Sequence, residues 1–225
     1  MNKKYHIFNI NINTLNIGNT ILLILVIIPS YLIYPSFIID TFTNYNFLEF
    51  FGYYFLYMLL HELIHSITYT INGAKFKNIT YGICLEKSIL CCLCKQNINK
   101  KNILFSLLSP LIFIGIITYV IALIFKLPLL FFLSILNIAG CIGDLIMLNF
   151  ISQLDKDIEF SEYDDPIGFA IYTNKDLSKD KYFGINYINS TNHLKRENFT
   201  KIYISIPSII IILIFIILGL YLNNL

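Results

Sequence analysis

Charge is what this chain has least of. Asp, Glu, Lys and Arg make up only 13% of its 225 residues, against 56% hydrophobic residues, and mean hydropathy is +0.68. That is too little charge to cover the surface of an ordinary soluble globule, and it is the profile of a polytopic membrane protein. The formal net charge of +2 carries no signal for nucleic acid, and no such partner is expected. Five cysteines do not make a disulfide framework. Cys91-Cys92-Leu93-Cys94 contains a C-x-x-C spacing, but without a second pair it reads as structural or incidental thiols rather than a zinc knuckle. No internal repeat or second folded unit is visible, so residues 1–225 read as a single integral-membrane domain.

Long apolar runs are what the chain has instead. Five are long enough to span a bilayer at about twenty residues each: 20–39, 47–71, 103–125, 127–151 and 203–222. The first follows a polar lead with Lys3 and Lys4 and ends in no small-x-small site, so it reads as an anchor rather than a cleaved signal. Internal prolines (Pro29, Pro35, Pro110, Pro207) are tolerated in membrane helices as kinks. The expected fold is an all-α polytopic membrane protein of about five transmembrane helices, with a short β-hairpin loop and one polar loop at 152–202.

Lysine placement sets the expected orientation. Lys75, Lys77, Lys87, Lys95, Lys100 and Lys101 stand against the single acid Glu86 between the second and third runs. The positive-inside rule then puts the N-terminus, the 72–102 loop and the 152–202 loop in the cytoplasm, and free thiols are expected at Cys84, Cys91, Cys92 and Cys94. Within 72–102, a Gly break followed by partial polar–apolar alternation predicts a strand or hairpin. The 152–202 stretch opens acidic and closes basic and reads as a solvated loop, with candidate strands at 169–172 and 182–185.

The chemistry lies in His61-Glu62-Leu63-Ile64-His65, three ionisable residues inside the second apolar run. Ionisable groups at membrane depth are costly and by default mark function. On a helix, positions i and i+4 share a face, so His61 and His65 can offer two imidazole nitrogens to one metal ion. Glu62 stands beside the first of them, where a carboxylate can accept a proton from an activated water.

A catalytic zinc usually takes a third protein ligand. His6 and His193 lie in polar segments, which leaves Asp144, the only acid in the fourth run. Counting from the cytoplasmic ends, the histidines lie about six to ten residues deep and Asp144 about seven, so at about 1.5 Å per residue their levels agree. No Lys or Arg occupies any of the five runs, so Asp144 has no basic partner there. Zn²⁺, two neutral imidazoles and the carboxylates of Asp144 and Glu62 sum to zero charge, which hydrocarbon tolerates better than isolated ions. Asn137 precedes Asp144 by seven residues and is expected on the same face, with Gly140 and Gly143 leaving room for a neighbouring helix.

These features resemble the site-2 protease group of intramembrane zinc metalloproteases and, more closely, a bacterial membrane family of zincin peptidases. The resemblance rests on His61-Glu62-Leu63-Ile64-His65, the Cys/Lys-containing hairpin followed by Leu108-Ser109-Pro110-Leu111, Asn137…Gly140…Gly143-Asp144, and Asp164-Asp165-Pro166-Ile167-Gly168-Phe169. Site-2 proteases carry Gly after the ligand Asp; here Gly143 precedes Asp144 and Leu145 follows it, which favours the zincin-like family.

The resemblance implies a zinc metallopeptidase of the bacterial plasma membrane acting on a membrane protein or peptide. His61, His65 and Asp144 would hold one Zn²⁺, Glu62 would be the general base and Asn137 would contact substrate. Aspartyl and serine intramembrane types lack a second membrane Asp or a Gly-x-Ser motif here. A catalytically inactive metal-binding protein, or a transporter- or immunity-like membrane component, is the alternative class.

Overall fold

The computed structural model describes residues 4–84, 89–162, 168–178, 180–188 and 200–202. Four helical stretches are long and apolar enough to cross a membrane: Ile12–Ile33, Phe47–Ile71, Lys100–Phe125 and Pro128–Ser152. The run at 203–222 lies outside the described residues.

Local sequence explains where these helices start, stop and bend. Helix α1 (Ile12–Ile33) begins eight residues before the expected 20, because Asn11 caps it: its side-chain oxygen accepts from the Asn13 and Thr14 amides. It ends before Pro35, and a short helix α2 (Phe37–Asn44) follows. Helix α3 (Phe47–Ile71) has the expected bounds. Asn46 and Glu49 form a reciprocal capping box at its start. At its other end Gly73, with φ of +93°, closes a Schellman turn in which the Ala74 amide donates to the Tyr69 carbonyl and the Gly73 amide to that of Thr70.

The third span is built of α4 (Lys100–Pro110), a π-helical turn over Leu111–Ile116 and α5 (Ile117–Phe125). Lys126 in the left-handed conformation and Pro128 at the first helical position then reverse the chain. The fourth span is interrupted at Cys141, which separates α6 (Pro128–Gly140) from α7 (Ile142–Ser152). Exposed apolar side chains line the outside, including Ile17, Ile21, Leu25, Ile28 and Leu32 on α1. That surface suits lipid and would be an aggregation hazard in water.

The all-α expectation is corrected by two antiparallel sheets. One has five strands in the order β4-β5-β6-β1-β7, with β1 (Lys4–Ile10), β4 (Ile98–Asn99), β5 (Glu159–Glu162), β6 (Gly168–Thr173) and β7 (Ile185–Ile188). The other has the order β3-β2-β8, with β2 (Ile79–Cys84), β3 (Ile89–Cys94) and β8 (Thr200–Ile202). The expected hairpin is β2–β3. The 152–202 stretch is more than a solvated loop, because it supplies three strands to the five-stranded sheet, with the N-terminal strand β1 inserted between its β6 and β7. Phe8 pairs with Phe169 and His6 with Ile171 across β1 and β6. Phe8, Phe150, Phe160 and Phe169 pack together as the core that joins the sheet to α7.

Glu162 ties the two sheets to α3. Its Oε1 accepts from the Tyr69 hydroxyl at 3.1 Å, and its Oε2 from the Cys94 amide. Burial pushes its carboxyl up from 4.5 to about 7, against those two donors, which favour the ionised form. Between 4.5 and about 7 the folded chain therefore keeps a proton that the unfolded chain releases. This contribution to stability is complete below the lower value and lost as pH rises to the upper one. Glu162→Gln cannot ionise, so the melting temperature of wild type relative to Glu162→Gln should fall as pH rises through that window. Parallel melting curves for the two proteins across it would contradict this.

Candidate metal centre

His61 and His65 stand one turn apart on α3, their rings 5.0 Å between centroids. The Nε2 atoms face each other at 3.2 Å. The Asp144 carboxylate, in the first turn of α7, meets both: Oδ2 is 3.3 Å from His61 Nε2 and Oδ1 is 3.4 Å from His65 Nε2. The structure thus brings together the three residues proposed from sequence, with their donor atoms all within 4.8 Å of one another. His65 is buried, whereas His61 and Asp144 keep 14% and 16% of their side-chain surface accessible. The cluster is therefore walled in but not sealed.

The other ring nitrogens fix the chemistry. His61 Nδ1 lies 2.9 Å from Asn137 Oδ1, and His65 Nδ1 lies 3.0 Å from the Ser106 carbonyl. The Asn137 amide is oriented by its own nitrogen, which donates to the Pro110 carbonyl at 3.4 Å and lies 3.8 Å from Cys141 Sγ. Both Nδ1 partners are oxygen acceptors, so each Nδ1 carries the proton. In the neutral imidazoles each Nε2 is then a bare lone pair. In that neutral form two lone pairs and a carboxylate converge, an arrangement that calls for a cation or a proton between them.

The separations match a particular one. Ligands about 2.0–2.1 Å from a tetrahedral zinc stand about 3.3 Å apart, as these three groups do. Each histidine also has its second nitrogen held by an oxygen, the arrangement that fixes the tautomer of metal-bound imidazoles.

Glu62 is buried on the neighbouring face of α3, where the Cys92 amide of β3 hydrogen-bonds its carboxylate. The structure places Asn137, expected at the substrate, in contact with His61. Only the single-residue turn at Cys141 separates the helices that carry Asn137 and Asp144, and both side chains approach His61, as their seven-residue spacing leads one to expect. Of the two expected close-packing glycines, a Cβ built at Gly140 meets nothing within 4 Å, whereas one at Gly143 would meet Leu15 Cδ1 of α1 at 3.4 Å. Gly115 in the π-helical turn is tighter still, where a Cβ would meet Ile138 Cγ1 at 3.0 Å and Asn137 Nδ2 at 3.4 Å. Sequence reading missed the Ser106 carbonyl because no side-chain pattern reports a main-chain acceptor.

The remaining candidates lie elsewhere. His6, on β1, is buried against the Lys175 carbonyl, and His193 is outside the described residues. Cys91, Cys92, Cys94 and Cys141 are buried and form no disulfide among the described residues. Cys91 and Cys94 are three apart on a strand, hence on opposite faces, and cannot chelate one ion together. Burial pushes the Cys94 thiol up to about 11, further from the thiolate that binds metal.

Residues 54–158, just under half of the chain, match the model of the family described as "Putative zincin peptidase". No curated protein and no solved structure matches the chain. The matched stretch contains all three converging residues, Glu62, Asn137, Ser106 and Pro110. A zincin description implies zinc, and the donor set found here fits it. Truncating Asn137 to Ala frees the His61 ring and should weaken zinc binding about 10- to 100-fold. Competition with a zinc chelator measures this, and an unchanged affinity would show that Asn137 does not support the ligand.

Proposed function

We propose that the chain is a membrane-embedded zinc metallopeptidase that hydrolyses peptide bonds of a membrane protein or peptide. The observation that carries this reading is the convergence of two Nε2 lone pairs and the Asp144 carboxylate, beside a buried glutamate that none of the three needs as a partner. His61, His65 and Asp144 would hold the ion. Zn²⁺ there would supply Lewis acidity, which brings the pKa of water toward neutrality and polarises a carbonyl.

The rest of the chemistry belongs to the chain. Glu62 receives the proton of the attacking water on a carboxylate oxygen and returns it to the nitrogen of the leaving amine. Asn137 and the Ser106 carbonyl keep both imidazoles in the Nδ1–H form, so the histidines serve as ligands and not as acids. The accessible edge formed by His61 and Asp144 is where a substrate carbonyl would approach. The cytoplasmic side is assigned to the N-terminus, the 72–102 segment and the 152–202 segment. The five-stranded sheet supports a common side for the three, since β1, β4 and β5–β7 come from these segments, and the lysine distribution makes that side the cytoplasm.

The cationic site and the hydrolysis separate in one variant. Glu62→Gln should keep about one zinc per chain while lowering peptide cleavage by at least about 10²-fold, the usual scale of a lost general base. Cleavage can be followed with a peptide library and by comparing membrane proteomes. Full activity in this variant would overturn the mechanism. Zinc bound equally by wild type, and no cleavage by either protein, would favour a catalytically inactive metal-binding protein.

A further inference from the structure

Pro110 sits in the middle of the third span, where a proline removes one helical hydrogen bond. In an α-helix the amide of residue 110 would donate to the carbonyl of residue 106. Proline has no N–H, so Ser106 loses its helical partner. The Leu111 amide does not replace it, because it turns to the Leu108 carbonyl. The Ser106 carbonyl has instead two other donors, the Ser109 hydroxyl at 2.7 Å and His65 Nδ1 at 3.0 Å. A carbonyl oxygen has two lone pairs, so these donors fill it.

The same residue reaches the second histidine. The Pro110 carbonyl accepts from Asn137 Nδ2, which turns Asn137 Oδ1 toward His61 Nδ1. Both imidazoles are thus oriented through one proline, from opposite ends of its peptide unit.

We propose that Pro110 is a positioning residue of the metal centre: by lacking an N–H it reserves the Ser106 carbonyl for His65 Nδ1–H, and so keeps His65 Nε2 bare toward Asp144 and His61. The proposal deepens the zinc reading and rests on it for its consequence, but its structural core concerns the metal-free tautomer. An amide at position 110 would be a third donor to a carbonyl with two lone pairs. Being local in the chain, it would compete with the imidazole from α3.

The test uses the full-length protein in detergent. Pro110→Ala restores the amide. The α-hydroxy analogue of alanine at position 110, introduced by nonsense suppression, leaves the position without N–H and also without the ring. Pro29→Ala is the control, since Pro29 is likewise inside a helix, α1, and has no part in the hydrogen bonds that hold His61 and His65.

The first readout is the tautomer of His65 in metal-free, ¹⁵N-histidine-labelled protein; the second is zinc affinity by chelator competition. Wild type and the α-hydroxy variant should show His65 protonated on Nδ1 and bind zinc alike. Pro110→Ala should shift His65 toward the Nε2–H form and bind zinc about 10- to 100-fold more weakly. Its metal-free melting temperature should be no lower than wild type, because a helical bond has been gained. Pro29→Ala should change neither readout.

An unchanged tautomer and affinity in Pro110→Ala would overturn the proposal. So would an α-hydroxy variant that behaves like Pro110→Ala, which would assign the effect to the ring. If wild type shows the Nδ1–H tautomer, Pro110→Ala loses it, and neither binds zinc, the positioning role stands and the metallopeptidase reading fails.

Discussion

Two imidazole nitrogens and a carboxylate that accept but cannot donate are held 3.2–3.4 Å apart at the centre of this molecule. In a hydrocarbon setting such a cluster repels itself unless a cation enters or a proton is taken up. Much of the surrounding structure serves to enforce the repulsive arrangement. Asn137 and Ser106 fix the tautomers through the two Nδ1 atoms, and α7 delivers Asp144 in its first turn, near the positive end of a helix. His61, His65 and Asp144 would hold a Zn²⁺ ion there, which with the carboxylate of Glu62 would leave the centre without net charge.

The scaffold achieves this by breaking its helices at chosen places. A straight third span would satisfy the Ser106 carbonyl internally and leave His65 Nδ1 without it. The π-helical turn after Pro110 and the close approach of Gly115 to α6 bring Asn137 Nδ2 within reach of the Pro110 carbonyl. Outside the spans, Glu162 and the Cys92 amide join the strands to the α3 helix, so the sheets brace the helix that carries both histidines.

Much of the site could be read from the sequence, and the reasons are physical. The α3 helix is announced by a long, largely apolar run that ends at the Gly73 break. Asp144 stands out because it is an acid where lipid tolerates none and where no basic partner exists. The sheets were largely hidden. β1 pairs with a strand some 160 positions away, and strands of four to seven residues in polar segments have no strong periodic signature. Asn137 is marked by its polarity within an apolar helix, but nothing in the sequence spacing foresees the Pro110 carbonyl that turns its amide oxygen to His61. The Ser106 carbonyl has no side-chain signature at all. The readable trace of it is the proline four residues later, which is easily passed over as a tolerated kink.

X-ray absorption at the zinc edge of the purified, zinc-loaded protein addresses the cluster directly. The account predicts a first shell of two nitrogen and one or more oxygen scatterers at about 2.0–2.2 Å, with imidazole scattering beyond and no sulfur. A sulfur shell at about 2.3 Å would place the ion on Cys91, Cys92, Cys94 or Cys141, and the convergence of His61, His65 and Asp144 would then need another explanation.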